Sequence, residues 1–187
     1  MVAEDEDLEL LTHLIQRGAE VMKPSRDSWT ALHGAVMVGS VPTVKLLLLA
    51  GANPDSRGPK GYTALHLCST KGAAVFTRVL EVLLASGANP SLENEYGETP
   101  LHLASYQRRV DTVRALIGAG ADITKNNMRG ETSLYVAAKR GNVSCVRILL
   151  ESGADKTYDF LLCFASPGAL FNIIFFFFFW IQIVLVQ

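Results

Sequence analysis

Gly87-Ala-Asn-Pro-Ser-Leu-Glu-Asn-Glu-Tyr-Gly-Glu-Thr-Pro-Leu-His102 decides how this chain folds, because both of its ends recur along the sequence. Gly-Ala pairs stand at Gly18-Ala19, Gly51-Ala52, Gly87-Ala88, Gly120-Ala121 and Gly153-Ala154, separated by 33, 36, 33 and 33 residues. Twelve residues after each of the first four pairs comes Thr30-Ala-Leu-His33, Thr63-Ala-Leu-His66, Thr99-Pro-Leu-His102 or Thr132-Ser-Leu-Tyr135. Two landmarks moving together at a fixed period predict a repeat architecture in which stacked units bury each other's faces.

Each landmark has a local physical meaning. Thr is a good helix N-cap, so short helices are predicted over 31–38, 64–71, 100–107 and 133–140. Pro100 suits a first helical position, where its missing N–H would be unpaired anyway. Gly39, Gly72 and Gly141 are predicted to stop these helices in the left-handed conformation. A second helix follows in each unit. Over 41–50 it carries Val44, Leu46, Leu47 and Leu48, apolar on more than one side, so it must lie between neighbours. Gly-Ala then ends it, and a polar stretch runs out to the next Thr as a hairpin-like finger.

The period and the Thr-Pro-Leu-His turn resemble the ankyrin repeat, over roughly residues 7 to 157. The resemblance implies an all-α solenoid of helix-turn-helix pairs with fingers, binding other proteins and performing no chemistry. The expected organisation is an N-terminal half repeat or cap at 1–27 and repeats at 28–60, 61–96, 97–129 and 130–158, followed by a tail at 159–187. In the half repeat, Asp7 to Arg17 matches a second helix, with Leu8, Leu11, Leu14 and Ile15 at helical spacing and Glu4, Asp5, Glu6 and Asp7 at its positive end. Its missing first helix fits either an excerpt of a longer array or a native cap.

Three departures from the pattern stand out. Three extra residues between Gly72 and Val79 are expected to lengthen the turn between two helices. Arg108 stands where other units have Gly and must take the left-handed conformation, at about 1–2 kcal/mol, or reshape the turn. Tyr135 replaces the usual His and puts the hydrogen bonding of that unit in question.

Seventeen basic and eighteen acidic residues give a net charge of −1, which offers no general electrostatic reason to bind nucleic acid. Cys68, Cys145 and Cys163 lack metal-ligand spacing and even pairing, which fits a reducing cytoplasmic or nuclear setting. No basic, apolar N-terminal leader is read. From Phe160 to Gln187 there is no charged residue, and Phe175 to Phe179 is a run of Phe. This tail has three readings: a membrane anchor with the repeats in the cytosol, a helix docked on the last repeat, or translated read-through of untranslated message. In water it is an aggregation hazard under each of them.

No catalytic, cofactor or metal constellation is read. His33, His66 and His102 occupy the same place in different units, too far apart for one ion, and the resemblance implies that they tie neighbouring fingers by hydrogen bonds. Asp55, Glu93, Glu95 and Glu98 are expected to be solvated finger carboxylates without a basic partner. The resemblance points instead to a concave groove made by the fingers and the ends of the first helices. Its candidate contacts are Arg26 and Trp29; Arg57, Lys60 and Tyr62; Glu93, Glu95, Tyr96 and Glu98; Met128 and Arg129 on the fingers. Met37, Lys71, Tyr106, Lys139 and Arg140 join them from the first helices. A basic second finger, an acidic third and a basic far end predict a protein partner of complementary alternation, bound by a monomeric module. The alternatives are a tail-anchored adaptor, and the substrate-recruiting part of a larger protein whose effector module lies elsewhere.

Overall fold

The computed structural model describes residues 2–20 and 23–155, with side chains from residue 8 onward; the tail and Cys163 lie outside the described residues. Among the described residues nine α-helices follow one another: α1 Val2–Gln16, α2 Ala31–Val38, α3 Val41–Leu49, α4 Ala64–Thr70, α5 Ala74–Ala85, α6 Pro100–Tyr106, α7 Val110–Gly118, α8 Ser133–Lys139 and α9 Val143–Glu151. Among the described residues the only extended pairing is a single antiparallel bridge between Asn126 and Thr132. The fold is an all-α solenoid.

Two parallel layers make the stack. The short first helices pack in the order α2, α4, α6, α8, and the second helices in the order α1, α3, α5, α7, α9. Leu32, Leu65, Leu101 and Leu134 repeat at one register of the first layer, and Leu47, Leu83, Leu116 and Leu149 at one register of the second. All are buried, most of them completely. At about 2 kcal/mol for each buried leucine, these two ladders supply much of the driving force for stacking.

Local signals in the sequence place the ends of these helices. Thr30 and Thr132 accept the N–H of His33 and Tyr135 as N-caps. At each Gly-Ala pair the helix closes on itself: Ala52, Ala88, Ala121 and Ala154 donate to the carbonyls of Leu47, Leu83, Leu116 and Leu149 at 3.0–3.1 Å. That five-residue reach, with Gly51 at φ +90°, is the Schellman closure. Gly-Ala is therefore a stop signal, and in the middle of the stack its second residue, Ala52, Ala88 or Ala121, is buried.

Several sequence expectations need correction. The first helices of the second, third and fourth pairs end one residue sooner than predicted, at Thr70, Tyr106 and Lys139. Gly39 ends α2 in the left-handed conformation as expected, but α4 is followed by Lys71 in extended backbone, and Gly72 has no positive φ. The three extra residues do not lengthen a turn. They lengthen α5 to 12 residues against nine in α3, α7 and α9, because Ala74-Val-Phe-Thr-Arg continues the helical apolar pattern backward. Arg108 takes the left-handed option, at φ +60°, and its Nη2 donates to the Arg140 carbonyl at 2.8 Å. The first helix begins at Val2, so the acidic run lies within it rather than ahead of it.

Candidate protein-binding groove

The fingers are built on one turn used four times. Ser25, Gly58, Asn94 and Asn127 each donate their N–H to the carbonyl four residues on, at Trp29, Tyr62, Glu98 and Glu131. In the last two fingers the Asn side chain closes the tip. Asn94 Oδ1 accepts from the Tyr96 and Glu98 N–H groups, while its Nδ2 donates to Glu98 Oε2 at 3.1 Å. Asn127 repeats the arrangement with Arg129 and Glu131.

Adjacent fingers are stitched in two ways. Backbone bonds run from Glu95 N–H to the Lys60 carbonyl and from Met128 N–H to the Tyr96 carbonyl, both at 3.0 Å. The histidines supply the second stitch. Nδ1 of His66 accepts the Thr63 backbone N–H at 3.1 Å, so the ring proton sits on Nε2, which donates to the Glu98 carbonyl at 2.9 Å. His33 and His102 do the same to the carbonyls of Tyr62 and Glu131. Burial lowers the pKa of all three imidazoles, that of His66 to about 4, which keeps them neutral at pH 7. Tyr135 cannot accept the Thr132 N–H as an imidazole does. Its own N–H still caps on Thr132 Oγ1 at 3.0 Å, and Lys139 lies 5.5 Å above its ring.

Apart from Arg57 and Glu93, which are engaged between fingers, the candidate contacts fall into three groups. Trp29, Tyr62 and Glu98 share one register and are held inward: the Trp29 ring stands edge-on to His33, Tyr62 leans on His66, and Glu98 is engaged by Asn94. Glu131 shares that register and is buried. Arg26, Lys60, Glu95, Tyr96, Met128 and Arg129 form the exposed fingertips. Met37, Tyr106, Lys139 and Arg140 project from the ends of the first helices, and Lys71 lies at the end of α4. Arg140 stacks on Tyr106 with its guanidinium carbon 4.2 Å from the ring centroid, and Lys60 lies 5.9 Å from that of Tyr96.

Two electrostatic details were not legible in the sequence. Glu93 was expected to lack a basic partner, but Lys125 from the next finger pairs with it, and the Arg57 Nη1 donates to its carbonyl at 2.8 Å. Lys139 pairs with Glu131 at 2.8 Å, joining the end of α8 to the inward end of the last finger turn. Burial raises the Glu131 carboxyl, but Lys139, Asn127 and Arg129 together outweigh it and hold its pKa below the ordinary value. The anticipated acidic third finger is therefore partly neutralised from within. Only period-spaced comparison of Lys125 with Glu93, 32 residues apart, could have suggested it.

Buried Cys68 and Cys145 are packed away, and burial raises both thiols, Cys68 to about 12. Among the described residues no three metal-ligating side chains converge, and no helix is long and apolar enough to cross a membrane. Between α3 and α5 lies a cleft of about 680 Å³, lined by Val41, Leu48, Leu49 and Val82 with Lys45 and Glu81. Sequence reading missed it.

A family model described as ankyrin repeats, in 3 copies, matches residues 1–90 and 72–159. The chain is 41% identical over 80 residues to a putative ankyrin repeat-containing protein of Treponema pallidum, covering 42% of this chain and 26% of that one. It is 39% identical over 72 residues to the potassium channel AKT1 of Oryza sativa, 38% of this chain and 8% of the channel. It is 43% identical over 58 residues to the E3 ubiquitin-protein ligase hecd-1 of Caenorhabditis elegans, 31% of this chain and 2% of the ligase. The chain thus spans about a quarter or less of the length of these relatives. With the family model matching most of its length, the chain belongs to the ankyrin-repeat family, whose repeats serve as protein–protein interaction modules.

Proposed function

We propose that this protein is a non-enzymatic adaptor that holds a protein partner along the groove formed by its fingertips and the ends of α2, α4, α6 and α8, with four repeats over residues 28–158 behind a half repeat at 1–27. One observation carries the reading. Met37, Tyr96, Tyr106 and Met128 remain 44–77% exposed at groove positions, while Leu32, Leu65, Leu101 and Leu134 of the first helices are buried in the stack. Aromatic and methionine side chains left in water on a hydrogen-bonded scaffold are the anchors of protein interfaces. The fingers are already tied to one another, so a partner binds with little ordering cost.

Its setting is the cytosol or nucleus, a reading supported by the reduced, buried Cys68 and Cys145. The test is proximity crosslinking of the full chain in cells, comparing the native chain with Tyr106→Glu and with Arg147→Glu on the exposed face of α9. A partner retained by Arg147→Glu and lost by Tyr106→Glu supports the groove. The same partners from all three chains sink it.

A further inference from the structure

We infer that the groove takes an acidic, extended peptide segment carrying an aromatic or aliphatic side chain between its carboxylates; this rests on the groove reading above. The argument begins with which charges are spent inside the protein. Glu93 is paired with Lys125, and Glu131 with Lys139. Those carboxylates are unavailable to a basic partner. Among the described residues, Arg26, Arg57, Lys60, Lys71, Arg129 and Arg140 have no carboxylate at ion-pair distance. Against these six cations the fingers offer Asp27, Asp55, Glu95 and Glu98 outside those pairs, and Asp55 and Glu98 already accept from the Asn89 backbone N–H and from Asn94. The chain as a whole carries −1, so the positive surplus is local to the groove. Complementarity therefore favours a negative partner over one of alternating sign.

The arrangement also sets a spacing. Lys60, Tyr96 and Arg129 occupy one fingertip position in successive units, each two residues into the turn that Gly58, Asn94 or Asn127 closes. Packed helices lie about 8–10 Å apart, so Lys60 and Arg129, two units apart, are separated by about 16–20 Å. An extended chain advances about 3.3 Å per residue, which places two carboxylates some five to six residues apart. Between them the exposed Tyr96 and the Tyr106–Arg140 stack offer an aromatic surface. A single-stranded nucleic acid answers less well, because it asks for an unbroken basic track and Glu95 and Glu98 lie between Lys60 and Arg129.

Selection from a random dodecapeptide display library on the immobilised full chain tests this. The expected result is enrichment of Asp or Glu at a spacing of about five to six residues around an apolar position. Binding of a synthesised winner should weaken roughly ten-fold or more in Lys60→Glu and in Arg129→Glu, about 1.4 kcal/mol for each tenfold, and remain unchanged in Arg147→Glu. Neutral or basic winners that still need Tyr106 overturn the charge inference and leave the groove standing. Winners indifferent to Tyr106→Glu, or no enrichment above the naive library, overturn both. Displacement of acidic winners by poly(U) at equal charge concentration overturns the assignment to a peptide.

Discussion

Nε2 of His66 lies 2.9 Å from the carbonyl oxygen of Glu98, in the next finger along. The same ring accepts a backbone N–H at Nδ1, so it holds one finger to its own helix and to its neighbour. Neutrality is the condition for this double role, and it makes the stack sensitive to acid.

The folded pKa of His66 is lowered to about 4 from 6.5, so the unfolded chain binds the proton more readily. Stability is therefore fully present above pH 6.5 and falls as pH drops toward 4. For His66 alone the loss approaches about 3 kcal/mol, with His33 and His102 adding in the same direction. Urea midpoints measured from pH 8 to pH 4.5 should be flat above 7 and decline below 6.5. An imidazole titration by NMR that places His66 near 6.5 in the folded chain would remove the basis of this expectation.

Gly97 and Gly153 both sit at positive φ, at +70° and +92°, yet their surroundings differ. A Cβ on Gly97 would meet the Met128 backbone nitrogen at 2.9 Å, whereas one on Gly153 would meet nothing within 4 Å. Both alanine variants bear the left-handed penalty of about 1–2 kcal/mol. Gly97→Ala also pushes apart two fingers joined at Met128 N–H and the Tyr96 carbonyl, so it should cost about 1 kcal/mol more than Gly153→Ala. Equal losses in thermal unfolding would mean that the fingers slide apart freely.

The landmarks at Thr99, His102 and Gly120 were legible because each acts through backbone within its own unit, where spacing alone fixes geometry. Arg108 could be placed in a strained turn for that reason, whereas the stitch from His102 to the next finger followed from the ankyrin resemblance and not from spacing. The pairing of Lys125 with Glu93 was not, because it depends on how far two long side chains reach between fingers. Nor was the fate of the three-residue insertion: residues 73–78 fit either a longer turn or a longer helix, and the chain takes the longer helix, from Ala74. At the groove the spacing of the fingers gave the register shared by Trp29, Tyr62 and Glu98, but not that their side chains turn inward, which depends on ring packing and on the reach of Asn94.

Arg108 at φ +60° is a strained residue on the surface. Replacing it with Gly relieves about 1–2 kcal/mol of left-handed strain and adds about 0.5–1 kcal/mol of chain entropy cost. The exposed bond to the Arg140 carbonyl is lost but is readily replaced by water. Arg108→Gly should therefore stabilise the chain by about 0.5–1 kcal/mol, raising the melting temperature by a few degrees. A lowered melting temperature would instead give the Arg108–Arg140 contact a larger share in holding α6 to α8.

Gly72 and Arg109 offer a coupling that can be measured directly. The Arg109 guanidinium lies where a side chain at 72 would begin, its Nη1 2.3 Å from an ideal Cβ, and its Nε is buried without a protein partner. Gly72 has no positive φ, so alanine is not excluded by backbone conformation. Gly72→Ala must therefore act by displacing the guanidinium, a flexible group, at a cost of up to about 1 kcal/mol. With Arg109→Met the obstruction is gone, and the same Gly→Ala change should become stabilising by about 0.4–1 kcal/mol through the unfolded chain. A double-mutant cycle should return a coupling of about 1 kcal/mol with this sign. Additive effects within about 0.3 kcal/mol would show that Arg109 rests elsewhere in solution and that the seam between α4 and α6 does not depend on a small residue at 72.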